Sequence, residues 1–205
     1  MSNKVSIAPY MVAGKAVSQM VSGLRGIGII LVASLLVAVC AHVALPLAFT
    51  PVPLTLQPFA VLIIGMALSP RLAAGSLVAY LLEGAAGLPV FTPGSISTTG
   101  IEHLLGPTGG YLLAYPFAAF IIAKLWRSSS RTLTWALLSA AAGNFIILAT
   151  GAVWMSVYTH ASMQAVLAEA VTPFLPGDGL KVAVAAALGF EWYRVRPARR
   201  PSDTN

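Results

Sequence analysis

Six stretches of the chain are apolar for long enough, or nearly long enough, to cross a bilayer. They cover residues 27–47, 54–69, 72–88, 110–126, 133–158 and 178–193. A hydrocarbon core about 30 Å thick takes roughly 20 helical residues. Several of these runs fall short of that, so some of their polar ends are expected in a thinned or protein-lined zone. Ahead of the first run the pattern changes. Lys15, Ser18, Ser22 and Arg25 recur at three- and four-residue spacing, as do Val17, Met20 and Leu24. Such spacing describes two faces of a helix lying along a membrane surface, with a tail lacking fixed structure as the alternative. The pattern therefore predicts an all-α integral membrane protein: an N-terminal segment over 1–26, six transmembrane helices in one bundle over 27–193, and a basic tail over 194–205.

Composition supports the class. The 205 residues are 58% hydrophobic and 9% charged, against about 25% charged in an ordinary soluble domain. Twelve basic and six acidic side chains are too few to coat a globule of this size. The net charge of +6 raises nucleic acid as a partner. Basic residues scattered among apolar runs make no continuous phosphate-binding face, so none is expected. Their placement is topological instead. With six crossings, Lys4, Lys15, Arg25, Arg71, Lys124, Arg127, Arg131, Arg194, Arg196, Arg199 and Arg200 fall on one side, and the three opposite loops hold neither lysine nor arginine. Basic residues mark the inside, so both termini are expected to be cytoplasmic. Trp126, Trp135, Trp192 and Tyr193 sit at the inner boundary, Trp154 and Tyr158 near the outer one, where interfacial rings prefer to lie. The first 26 residues lack the apolar core of a cleavable signal peptide. The single cysteine, Cys40, has no partner for an internal disulfide.

Lys181 is the basic residue that topology leaves unexplained. It stands three residues after Asp178, near the outer end of the sixth run. Positions i and i+3 share a helix face, and a charge pair at this depth should look into a cavity or the bundle rather than lipid. A structural pair, with Asp178 capping the helix and Lys181 neutralising it, is one reading; a ligand clamp is the other. Further polar residues gather on the same outer half. Thr55 and Gln57 lie beside Pro51, Pro53 and Pro58, Tyr80 and Glu83 late in the third run, and Asn144 inside the fifth. Prolines at this depth are tolerated only against protein or a water-lined cavity, and Asn144 would also serve as an interhelical hydrogen bond. The glycine-rich start of the fourth run, Gly109-Gly110-Tyr111, offers backbone N–H groups suited to a carboxylate, although a surface turn reads the same way.

Several chemistries leave no trace. The only Gly-Lys, Gly14-Lys15, is followed by Ala16, so there is no phosphate loop. His42, His103 and His160 lack metal-ligand spacing, and no nucleophile elbow is present. No enzyme activity, catalytic residue, metal or cofactor is expected.

Taken together, the polar motifs resemble those of the BioY family, the biotin-specific substrate-binding (S) components of energy-coupling-factor (ECF) transporters. The run Thr50-Pro51-Val52-Pro53-Leu54-Thr55-Leu56-Gln57-Pro58-Phe59-Ala60-Val61 resembles the family signature. Gly87 to Phe91, Leu105 to Tyr111, Gly143-Asn144 and Phe174-Leu175-Pro176-Gly177-Asp178 with Lys181 match in family order. Residues 92–102 are not diagnostic, and Glu83 stands where an uncharged residue is expected, so no family role is carried onto it.

The resemblance implies a subunit of a prokaryotic inner (plasma) membrane that captures biotin from outside with high affinity. Uptake would be energised by a transmembrane coupling subunit and two ATPase subunits, which accounts for the missing phosphate loop. It also implies a small-residue seam on the first span for the partner, with Ser34 and Ala38, or Ala41 and Ala44, as candidates. The candidate substrate-binding residues are Asp178, Lys181, Gln57, Asn144, Tyr80, Thr55 and Tyr111. Biotin's ureido ring offers two N–H donors and a carbonyl, and its tail a carboxylate, so Asp178 suits the former while Lys181 suits either end. An intramembrane enzyme using Asp178 and Lys181 as an acid–base pair, or an S component for another vitamin, are the alternatives.

Overall fold

The computed structural model describes residues 8–93 and 100–195, with side chains from residue 20 onward. Lys4, Arg196, Arg199, Arg200 and the side chains of Lys15, Val17 and Ser18 lie outside the described residues. Helix α1 (Ala8–His42) is followed by a short ladder, β1 (Ala44–Leu45) and β2 (Leu54–Thr55). Then come α2 (Gln57–Ala67), α3 (Pro70–Ala85), α4 (Ile101–Leu105), α5 (Gly109–Ser128), α6 (Leu133–Thr159), α7 (Met163–Ala170), a 3₁₀ turn (Thr172–Phe174) and α8 (Leu175–Val195). Four helical segments are long and apolar enough to cross a membrane: Met20–His42, Gly109–Ser128, Leu133–Thr159 and Met163–Val195. The chain is an all-helical, multi-pass membrane protein. The other two expected crossings fall on α2, with 11 residues, and α3, with 16, both shorter than those four segments.

Helix boundaries depart from the apolar runs for identifiable reasons. α1 passes unbroken through the junction expected between residues 26 and 27. It ends at His42 rather than residue 47, because Ala44 and Leu45 pair antiparallel with Thr55 and Leu54. That ladder also delays α2 to Gln57. Pro70 divides α2 from α3: a residue before proline is pushed out of the helical region, and Ser69 is extended at φ −67° and ψ 155°. Pro70 then opens α3, where its missing N–H costs nothing.

α5 packs against α2, α3 and α6, while α8 lies across α2 and α6. Lipid offers no hydrophobic gain for such packing, so small residues that admit close approach carry it. Ala118, Ala119 and Ala123 on α5, and Ala185, Ala186 and Gly189 on α8, are all buried.

α1 buries one stripe, Ala33, Ser34, Val37, Ala38 and Ala41, against the rest of the bundle. The small-residue seam expected for a partner subunit falls on this inward stripe. Ser34, Ala38 and Ala41 are at most 6% exposed, and Ser34 Oγ donates to Glu83 Oε1 at 2.9 Å. Small size at those positions lets α1 approach α3; the outward face of α1 is instead Val32, Leu35, Leu36 and Val39.

Candidate functional site

The proline-marked run before α2 and the first turn of α8 meet at the end of the bundle opposite Arg71, Lys124 and Arg127. Between them, α5 and α6 border a narrow cavity of about 50 Å³. Its wall includes Thr55, Gln57, Tyr111, Asp178 and Lys181, five of the seven expected binding residues. The other two stand one layer behind. Asn144 reaches Asp178, and Tyr80 reaches Gln57.

Asp178 lies in the first turn of α8, where the helix dipole favours a negative charge. Its oxygens are not used to cap the backbone. Oδ1 accepts from Lys181 Nζ at 3.0 Å, and Oδ2 from Asn144 Nδ2 at 3.3 Å. Asp178 and Lys181 are 4% and 9% exposed. Burying either charge alone costs several kcal/mol, on the order of 3–5 when its partner is removed; together they make a neutral unit with donor and acceptor capacity to spare. A carboxylate only accepts, so Asp178 fixes the orientation of the Asn144 amide. Asn144 Oδ1 is consequently left buried without a partner, the one such side-chain atom among the described residues.

Gln57 is tied on every side. Its Nε2 donates to Tyr80 Oη at 2.5 Å, and its Oε1 accepts from Thr92 Oγ1 at 3.1 Å and Thr55 Oγ1 at 3.3 Å. Tyr80 Oη donates onward to Val90 O at 3.1 Å. One amide thus fastens α2, α3 and the loop after α3 together. Phe91 on that loop packs edge-on against Tyr80 and stacks on His103 of α4. A Cβ at Gly84 would fall 2.0 Å from the Phe91 ring, so glycine is what lets the loop close down.

Tyr111 forms part of the opposite wall. Its hydroxyl donates to Ala170 O at the end of α7, at 2.7 Å, and its ring lies where a Cβ at Gly151 would intrude to 2.2 Å. Nearby, Trp154 Nε1 donates to Gly106 O at 2.9 Å, holding the turn that opens α5.

Thr92, His103, Thr108, Tyr115 and Phe174 also line the cavity and were not expected there. Tyr115 follows Tyr111 by four residues, one helical turn on the same face, which is a legible signal. His103 has no telling spacing in the sequence and reaches the wall through α4. No group of three or more potential metal-ligating side chains occurs among the described residues.

The BioY family model matches residues 10–198. A probable biotin transporter BioY of Pyrococcus horikoshii is 40% identical over 138 residues, 67% of this chain and 78% of the relative. The biotin transporter BioY of Thermotoga maritima is 34% identical over 164 residues, 80% and 93% of the two chains. The fold is similar to the crystal structure of the S-component for biotin from an ECF-type ABC transporter, with a TM-score of 0.75 at 23% identity, covering 85% of this chain and 94% of that one.

Proposed function

The chain belongs to the BioY family, and from that premise we propose that it is the high-affinity biotin-binding membrane subunit of an uptake system. Six crossings with both termini in the cytoplasm place the cavity on the outer side of the plasma membrane, as the distribution of basic residues suggests. A transmembrane coupling subunit and two ATPase subunits supply the energy. The chain itself binds and carries rather than reacts.

What supports the reading most is the polar set at one end of the cavity: a paired Asp178–Lys181 with the unsatisfied Asn144 carbonyl beside it. The ureido ring of biotin brings two N–H donors and one carbonyl. Asp178 and Asn144 offer acceptors for the donors, and Lys181 a donor for the carbonyl. The thioether ring and chain fit the apolar wall of Val52, Ile147 and Phe174, and the tail carboxylate the polar wall of Thr92, His103 and Thr108. Small-molecule sites are mostly apolar with a few convergent polar groups.

Equilibrium binding of labelled biotin to the purified chain tests this. Asp178→Asn and Lys181→Ala are each expected to weaken binding at least about tenfold, since losing one partner of a buried charged contact costs about 2–5 kcal/mol. Unchanged affinity in both would remove the site assignment. Recovered biotin is expected chemically intact, and other vitamins are expected not to compete.

A further inference from the structure

At the end of the bundle away from the cavity, α2 stops early. Its 11 residues span about 16 Å, roughly half of a bilayer's hydrocarbon core. α1 continues past it, and an open groove of about 570 Å³ lies between the two. Gly28, Val32 and Leu36 of α1 form one wall, and Ile63 and Ala67 of α2 the other. The single charged residue lining it is Arg25, one turn before Gly28. Arg25 has no acidic partner within salt-bridge distance among the described residues. A second guanidinium stands at the same mouth, where Arg127 Nε donates to Leu68 O at 3.2 Å and Leu68 is itself a groove residue.

An apolar trough opening onto guanidinium groups has the polarity of an amphiphile with an anionic head. We propose that the groove binds an anionic phospholipid from the leaflet on the basic side of the protein. One acyl chain lies between α1 and α2, and the phosphate meets Arg25. A guanidinium suits this partner because its planar fork bonds two phosphate oxygens at once. A transmembrane helix would cover the same apolar walls, but an apolar helix brings no anion to the mouth.

Gly28 provides the means of testing it. A Cβ there meets nothing within 4 Å, so a large side chain enters the groove without displacing the core. The full chain would be purified and its retained lipid measured by native mass spectrometry after exchange into phosphatidylglycerol or phosphatidylcholine of matched chains. Wild type is expected to retain phosphatidylglycerol at least about fivefold better, the effect of one basic residue near a membrane surface. Arg25→Gln should bring the two lipids to within about twofold of each other. Gly28→Leu should reduce retention of both, and Val32→Trp, at a position 70% exposed, should do the same. Biotin binding is the control for folding, because none of these residues touches the cavity. Equal retention of the two lipids by wild type overturns the proposal. So does a preference that survives Arg25→Gln and both groove-filling variants. Retention of neither lipid, with the groove covered only when a partner membrane subunit is co-purified, would assign it to protein instead.

Discussion

Helix α8 carries the same acid–base spacing twice. Asp178 and Lys181 stand at its beginning, Glu191 and Arg194 at its end, each pair three residues apart and closed to 3.0 and 2.9 Å. By sequence and geometry they are nearly the same object. They differ in surroundings: the side chains of Lys181 and Asp178 are 10% and 5% exposed, those of Arg194 and Glu191 61% and 59%. An exposed pair is worth about 0.2–1 kcal/mol. In a buried pair, loss of one member strands a charge at a cost of about 3–5 kcal/mol. Spacing makes an ion pair possible, whereas burial beside a cavity makes it useful.

A double-mutant cycle probes that contrast at its extreme. Lys181→Met and Asp178→Leu are each expected to lower unfolding stability by about 3–5 kcal/mol, while the double variant recovers much of the loss because no lone charge remains. Biotin binding should stay lost in all three, so stability and affinity separate. Additive stability losses would mean that the pair is not acting as a unit.

A smaller effect is expected from Gln57→Leu. It removes the amide from Tyr80 Oη, which keeps its bond to Val90 O, and from Thr92 Oγ1 and Thr55 Oγ1, at about 0.5–1.5 kcal/mol for each hydrogen bond lost, read as a lower thermal midpoint with weaker biotin binding. Gly151→Ala should do less: Tyr111 must shift its ring to admit the methyl, and overpacking of this kind costs about 1–3 kcal/mol, read as a several-fold loss of affinity with the fold retained. Smallest of all, Glu191→Gln and Arg194→Gln should each change stability by under about 1 kcal/mol and leave biotin binding unaltered. A large effect there would break the comparison between the two ends of α8.

Much of the site was legible in the sequence because intramembrane polarity is costly, and so each polar residue marks something. Thr55, Gln57, Tyr111, Asp178 and Lys181 could be picked out on that ground, and all five line the cavity. The same logic could not rank them by depth, since whether Tyr80 touches the cavity or braces Gln57 depends on how α2 and α3 meet. Small residues carry less information. Ser34, Ala38 and Ala41 suit an external seam or an internal one equally well, and only the rotation of α1 about its axis chooses the internal one. Helix ends were read least well. The β1–β2 ladder consists of two residues on each side, too few to show a period. α7 lies between two apolar runs, capped by Ser162, which accepts from Ala165 N, and with Val166 and Ala170 burying one face. Eight residues beside a long apolar helix are easily absorbed into a connection.

The tryptophans are divided between the two ends of the molecule. Trp126, Trp135 and Trp192 lie toward the basic end, whereas the indole of Trp154 is hydrogen-bonded to the turn that opens α5, next to two residues of the cavity wall, Thr108 and Tyr111. The chain therefore has a built-in fluorophore anchored to the turn beside its pocket, with none of the other three indoles lining that pocket. Any movement of the Gly106 turn when a ligand enters or leaves would alter the hydration of that indole, so the emission maximum of a variant retaining Trp154 alone would report occupancy optically, without a label.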